Sequence, residues 1–266
     1  MATYLDAIVA YHRARAGADR RSRTELVELA AGAPPPRDFR GALAARDGKV
    51  AVIAEIKRRS PSKGDLAPDL DPAELAAAYT AGGAAALSVL TDAPHFGGSA
   101  ADLGAARGAT TLAVLRKDFT VAAADCYDAR AMGADAVLLI AAALGDAELE
   151  ELAGIAGSLG LAALVEVHDE AELARALGIG AGLVGVNQRD LHTFRVDTER
   201  ALRVGAAIPS GVVRVAESGI RDHDDLARLG EGGFDAVLVG EHLVTAPDPG
   251  AALAALRGAS APAGSR

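Results

Sequence analysis

From Lys49 onward, short apolar runs recur at residues 50–56, 85–90, 112–115, 136–140, 161–167, 183–186, 212–216 and 236–239. Most are continuous rather than alternating, as in strands buried on both faces. Each is followed by a turn and a stretch with helix signals. Asp71-Pro72 places an N-cap before a proline at the first helical position, and Asp146, Asp169 and Asp222 can each cap a following helix. The segments AGG (81–83), MGAD (132–135) and EGGFD (231–235) read as helix stops leading into the next strand. Strands alternating with helices imply a parallel sheet, and eight repeats imply closure. The expected fold is α/β, a single (β/α)8 TIM barrel over residues 46–258. An open doubly wound sheet is the rival, but no GxGxxG follows the first strand.

The first 45 residues follow a different pattern. Leu5, Ile8, Val9 and His12 have helical spacing, Arg20, Arg21 and Arg23 cluster, and residues 24–30 suit a second helix before a break at 33–36. This reads as an N-terminal helical extension packed on the barrel. Residues 259–266, rich in Ala, Gly, Ser and Pro, read as a frayed tail.

Composition adds limits. A chain of 266 residues suits one barrel or two ordinary domains. Aromatics make up 3% and Trp is absent, so the core must rest on Ala, Val, Leu and Ile. A net charge of -9 argues against a nucleic-acid or membrane-surface partner, but leaves room for a small anion in a locally positive pocket. The lone Cys126 allows no internal disulfide, which fits a reducing compartment. Residues 1–10 carry Asp6 and lack a basic signal-peptide start, and the longest apolar run, 136–144, is too short for a bilayer. A cytoplasmic protein is expected. No pattern sets the oligomeric state; a monomer, or a weak homodimer, is the expectation.

Polar residues collect where the runs end, which is where barrel enzymes keep their chemistry. Glu55 and Lys57 are two apart and share a face, inward if Ile56 packs under the helices. Arg116, Lys117 and Asp118 follow the third run directly. Glu166 sits between Val165 and Val167, so its pKa should rise by burial or fall toward a nearby lysine. His168 opens the next loop and reads as exposed or capping. Asn187 and Arg189 share a face, and Arg189 offers a fork for carboxylate or phosphate. Ser218-Gly219 and Gly240 suit a backbone phosphate cradle. Each feature alone could be an ion pair, a solvated loop or a tight turn. Together they point to acid–base work on a small phosphorylated molecule. The six histidines (12, 95, 168, 192, 223, 242) show no paired ligand spacing, so no metal site is expected; no Ser-His-Asp set stands out either.

The segments AEIKRRSPSKG, GGAAALSVLTDAPHFGGS, LRKDF, GADAVLLIAAAL, LVEVHDEAEL, VGVNQRDLHTF, VAESGI and DAVLVGEHLV, in this order, resemble the successive strand motifs of indole-3-glycerol phosphate synthases. The resemblance runs from about residue 50 to 255 and includes the helical extension. It implies ring closure, decarboxylation and dehydration of a carboxyphenylamino-deoxyribulose phosphate in tryptophan biosynthesis, with no cofactor. Lys117 resembles the family's general acid, a task for which a depressed lysine pKa is suited. Glu166 resembles the base of the dehydration, and Lys57 the lysine on the substrate carboxylate, a candidate to share acid duty. Glu55, Asn187 and Ser218 resemble groups that hold hydroxyls and orient the lysines, and Arg189 a substrate-contacting arginine. Ser60, Gly219, Gly240 and the backbone at Glu241 resemble the phosphate cradle. Phe96, Phe119, Leu138, Leu191 and Val239 would wall the aromatic ring. His242 stands where many members have a small residue, and the Arg58-Arg59 loop is expected to be a mobile cover. Another sugar-phosphate barrel enzyme, such as an isomerase or a Schiff-base lyase, and a non-catalytic phosphate-binding barrel remain as alternatives.

Overall fold

Eight parallel strands close on themselves in the computed structural model, which describes residues 3–44, 49–61, 63–190 and 195–259. They are β1 (Ala51–Ile56), β2 (Ala86–Leu90), β3 (Ala113–Lys117), β4 (Ala136–Ile140), β5 (Ala162–Val167), β6 (Leu183–Asn187), β7 (Val213–Glu217) and β8 (Ala236–Val239). The barrel closes between β8 and β1, with Ala51↔Ala236 through Ala54↔Val239 in register. β3, β6 and β7 run one or two residues past their apolar runs. Lys117, Asn187 and Glu217 are therefore held by the ladder itself rather than by loops.

The helices are α1 (Tyr4–Ala18), α2 (Arg23–Ala31), α3 (Phe39–Leu43), α4 (Pro72–Gly82), α5 (Ala93–Phe96), α6 (Ala100–Gly108), α7 (Ala123–Ala131), α8 (Asp146–Ser158), α9 (Glu170–Gly178), α10 (Arg200–Gly205), α11 (His223–Glu231), α12 (Glu241–Val244) and α13 (Pro249–Leu256). Asp71, Asp169 and Asp222 cap α4, α9 and α11 as their positions imply. Asp146 does not cap. It is the first residue of α8, where Gly145 takes the cap position and donates its N–H to Glu148 (2.8 Å). Among the described residues no helix is long and apolar enough to cross a membrane.

The two-residue period sorts each strand into an outer and an inner row. Val52, Ala54 and Ile56 of β1, with Val165, Val167, Val184, Val186 and their equivalents, face the helices. Ile53, Leu115, Leu164, Val215, Leu138 and Leu238 fill the interior. Phe39 and Leu43 of α3 join that inner cluster, at most 1% exposed, and plug the barrel floor. The sequence reading missed this helix. It follows a proline-rich break and is too short for periodicity to show.

Candidate active site

One step above this apolar filling, the odd-numbered strands supply four charged or acidic side chains: Glu55, Lys117, Glu166 and Glu217. Barrel interiors are built as layers of four from alternate strands, and here the top layer is titratable. Glu55, Glu166 and Glu217 are each 4% exposed or less. Two glycines, Gly185 on β6 and Gly240 just after β8, make room for them. A Cβ at Gly185 would meet Glu217 Oε1, and one at Gly240 would stand 2.3 Å from Glu55 Oε1 and 3.1 Å from Lys57 Nζ. Gly240, read from sequence as a phosphate residue, is thus also required by the Glu55–Lys57 pair.

The charges are matched at close range. Lys57 Nζ donates to Glu55 Oε1 at 2.6 Å. Lys117 Nζ lies 3.5 Å from Glu166 Oε2 and 3.8 Å from Glu217 Oε2. Burial would raise the Glu55 carboxyl, but Lys57 and Lys117 outweigh it and hold it below its ordinary range. Burial would lower Lys117, but Glu166, Glu217 and Glu55 hold it above the usual lysine range. The depressed lysine expected from the sequence is therefore corrected: three carboxyls in one layer keep it protonated. Glu166 falls rather than rises, because Lys117 and His168 overcome its burial. Glu217 takes the opposite course. Burial and the neighbouring Glu166 push its carboxyl up to about 8, so it carries a proton near neutrality.

Asn187 joins the two halves of the rim. Its Nδ2 donates to Glu166 Oε1 (3.0 Å), while its Oδ1 accepts from Ser218 Oγ (2.9 Å) and from the Arg189 backbone (3.0 Å). Ser218 adopts φ +69°, the one left-handed non-glycine among the described residues, and Gly219 follows at φ +79°. These two consecutive positive-φ residues form the turn at which the sequence places an anion-binding nest of backbone N–H groups, and strain of this kind collects at functional sites. Gln188 Nε2 holds the Ser218 carbonyl at 2.6 Å.

Above this layer opens a cavity of about 860 Å³. Glu55, Lys57, Ser60, Phe96, Lys117, Phe119, Leu138, Glu166, Asn187, Arg189, Ser218, Gly219, Val239, Gly240 and Glu241 all line it. Leu191 lies outside the described residues. Phe96 and Phe119 stand with ring centroids 6.3 Å apart. Val239 lines the cavity although it belongs to the outer core row, and Leu238, the inward residue of β8, lines it as well. Glu241 pairs its carboxylate with Lys63 at 2.8 Å, bringing the loop after β1 against the start of α12. That loop carries the expected cover, but its arginines act as staples. Arg58 binds Asp102 and the carbonyls of Pro68 and Leu70, and Arg59 reaches the carbonyl of Pro94. His242 is an exposed residue on the cavity rim. Arg116 points outward, is 1% exposed and binds Asp118 at 2.7 Å.

Sequence reasoning missed three contributions. Glu217 ends its strand on the inward row as Glu55 and Glu166 do, so the same period-two signal marked it. Tyr4, Leu5 and Ile8 of α1 also line the cavity, making the extension part of its wall. Asp92 latches that wall. Its Oδ2 lies 2.7 Å from His12 Nε2 and 2.9 Å from His95 Nδ1, and the His12 ring packs 5.2 Å from Phe119. His12, Asp92 and His95 thereby bring one ligand-type atom each within 4.8 Å of one another, a grouping that spacing along the chain could not reveal.

Comparison with known proteins follows the same lines. A family model described as indole-3-glycerol phosphate synthase matches residues 5–256. Indole-3-glycerol phosphate synthase 2 of Streptomyces coelicolor is 50% identical over 260 residues, 97% of this chain and 100% of that protein. The Nocardioides protein of the same name is 52% identical over 91% of this chain and 93% of its own length. Among solved structures, a 3-hexulose-6-phosphate synthase superposes with TM-score 0.63 at 17% identity, covering 80% of this chain and all of that one. A Pyrococcus furiosus tryptophan synthase α-subunit variant gives 0.61 at 15%, covering 80% and 99%. At such identities these two speak for the fold alone.

Proposed function

The chain belongs to the indole-3-glycerol phosphate synthase family, and from that membership we propose what each group on the rim does. The reaction is ring closure, decarboxylation and dehydration of 1-(2-carboxyphenylamino)-1-deoxyribulose 5-phosphate to indole-3-glycerol phosphate, a lyase step of tryptophan biosynthesis. The observation that carries the assignment is the top layer of Glu55, Lys117, Glu166 and Glu217 beneath a cavity with an aromatic wall on one side and a nest on the other.

In this reading the anilino ring lies between Phe96, Phe119, Leu138 and Leu238, its carboxylate toward Lys57. The phosphate sits at Ser60, the Ser218-Gly219 nest and Gly240, with Arg189 nearby. Ser60 Oγ, buried and without a protein partner, supports that placement. The ring carbon attacks the ketone while Lys117 gives its proton to the ketone oxygen. Loss of CO2 restores the ring electrons. The hydroxyl then leaves as water on a second proton, given by Lys57, and Glu166 takes the proton released as the indole forms. Because three carboxyls keep Lys117 charged, it suits an acid and does not suit an amine nucleophile, which favours the synthase over a Schiff-base lyase. Every residue invoked comes from one chain, so a monomer suffices, and we place it in the cytoplasm.

The direct test is appearance of indole-3-glycerol phosphate fluorescence on adding the carboxyphenylamino substrate to the purified protein. Turnover is expected without added metal or cofactor. Absence of product, with the substrate bound in calorimetry, would reduce the protein to a phosphate-binding barrel.

A further inference from the structure

His12 lies on the buried face of α1 with Leu5 and Ile8, and its Nε2 stands 2.7 Å from Asp92 Oδ2. His95, in the last turn of α5, brings Nδ1 to 2.9 Å from the same oxygen. Among the described residues this is the one place where three side chains of the His, Cys, Asp and Glu kinds bring a ligand atom each within 4.8 Å of one another. A latch between α1 and α5 needs a single donor on Asp92. Two imidazoles aimed at one carboxylate oxygen are more than a latch requires; they form a two-nitrogen, one-oxygen donor set converging on a point.

The donors are held in place by their surroundings. Asp92 caps α5, and its Oδ1 accepts the His95 backbone N–H at 2.7 Å, which leaves Oδ2 for the two rings. The His12 ring has Tyr11 edge-on at 5.3 Å and Phe119 at 5.2 Å. The His95 ring makes T-shaped contacts with Tyr4 and Tyr11 at 6.3 and 5.5 Å. The side chains of His12 and Asp92 are 2% and 0% exposed and that of His95 is 20% exposed, so solvent reaches the cluster past His95.

We propose that His12 Nε2, Asp92 Oδ2 and His95 Nδ1 bind a divalent transition-metal ion of the zinc class, with water from the His95 side completing a tetrahedron, and that the ion clasps α1 to α5. Imidazole nitrogens suit Zn²⁺, Co²⁺ or Ni²⁺, whereas Mg²⁺ and Ca²⁺ ask for oxygen ligands. Bonds of about 2.0–2.2 Å to the ion set its ligands about 3.3 Å apart, so on loading each ring draws back from Oδ2 by about 0.5 Å. The hydrogen facing Oδ2 passes to the far nitrogen of each ring, so two neutral imidazoles offer lone pairs with no net loss of protons. Asp118 stays outside the donor set. Its Oδ1 is 3.8 Å from His12 Nε2 but accepts the Phe119 N–H, and its Oδ2 is taken by Thr91 and Arg116. With Asp92 it supplies the second negative charge that balances a divalent ion. His12 Nδ1 is buried without a partner. Once it carries the hydrogen it lacks the outer acceptor that is worth about 10–100-fold in affinity, so micromolar rather than nanomolar binding is expected. The ion takes no part in the proposed reaction. It joins the two elements that carry Leu5, Ile8 and Phe96 of the cavity wall.

Titrating the chelator-treated full chain with Zn²⁺ by calorimetry, and with Co²⁺ by visible absorption, tests the site. We expect one equivalent of either ion, with Co²⁺ giving the d–d bands of a tetrahedral nitrogen–oxygen site. Saturating Zn²⁺ should raise the melting temperature by a few degrees, because the ion binds the folded chain in preference to the unfolded one. His95→Gln, altered on the solvent side, should fold as wild type does, bind Zn²⁺ at least about tenfold more weakly and lose the rise in melting temperature. His12→Gln should behave in the same way; if it fails to fold, His95→Gln carries the test. Lack of saturable binding by the wild type, or undiminished binding in His95→Gln, overturns the site. Binding that leaves the melting temperature unmoved overturns the clasp. These readouts are independent of turnover, so an inactive wild-type protein would overturn the synthase reading and leave the ion site standing.

Discussion

Gly185 and Glu217 share one space inside the barrel: a Cβ on Gly185 would stand 2.2 Å from Glu217 Oε1 and 3.2 Å from Leu164 Cδ1. The carboxyl group occupies the volume that a side chain on β6 would otherwise fill. An acidic residue on the top layer of β7 is therefore compatible only with glycine beside it. In Gly185→Ala the carboxyl must swing toward Lys117 and Glu166. We expect a stability loss of about 1–3 kcal/mol from overpacking and a kcat loss of at least about tenfold from the disturbed lysine. A thermal melt and a steady-state assay check both; wild-type values in each would show that the carboxyl moves without cost.

In the proposed mechanism Lys117 gives its proton to the ketone oxygen, and its three acidic neighbours keep it charged. Lys117→Ala should lose roughly 10²-fold or more in kcat, the range of general acid catalysis. It should also free Glu166 and Glu55 from a compensating charge, so their carboxyls should titrate higher. Near-normal turnover in this variant would move the acid role to Lys57.

Glu217 supplies a pH signature. Its carboxyl is pushed from an ordinary value of 4.5 to about 8 in the folded protein, by burial first and Glu166 second. The folded state therefore binds a proton more tightly than the unfolded chain between those values. The stability this contributes is full below about pH 4.5 and is lost as pH rises through 8, at up to about 1.4 kcal/mol per pH unit for one proton. Wild-type protein should lose melting temperature between pH 6 and 9. The isosteric Glu217→Gln should lose less over the same window. Parallel melting curves would falsify the raised carboxyl of Glu217.

Asp92 gives the opposite sign. Burial would raise its carboxyl, but His12 and His95 hold it down to about 2. Its contribution is present above the ordinary carboxyl range and disappears as pH falls from about 4 toward 2. Asp92→Asn should cost about 1–3 kcal/mol through the weakened buried hydrogen bonds. It should also raise KM more than it lowers kcat, since His12 packs on Phe119 and Phe119 walls the cavity. Equal KM in the two proteins would separate the latch from the site.

The parts of this architecture that were legible in the sequence share one property: they are written in a local period. Strands buried on both faces announce themselves as apolar runs, and two-residue spacing puts Glu55 with Lys57 and Asn187 with Arg189. Glu217 was equally legible by that rule, but Ser218-Gly219 beside it carries the louder turn signal. Other parts have no local trace. Nothing near His12 says that its partner is Asp92, 80 residues away. Nothing near Lys117 says that three acidic neighbours will raise its pKa rather than burial lowering it. Leu238 joins Val239 in lining the cavity although the two sit on opposite rows of β8, a pairing that two-residue spacing does not announce.

The extension touches the barrel at both ends. α1 lines the cavity mouth through Tyr4, Leu5 and Ile8, while α3 corks the floor with Phe39 and Leu43 against a cluster that includes Val213, Ala236 and Leu238. During synthesis this segment emerges first, yet the seat for Phe39 and Leu43 is complete only when the eighth strand has been made. The chain's opening residues must wait, apolar side chains and all, for almost the whole remainder to leave the ribosome. Cork and mouth lining then settle last, so the same late event that seals the floor also finishes the wall of the cavity.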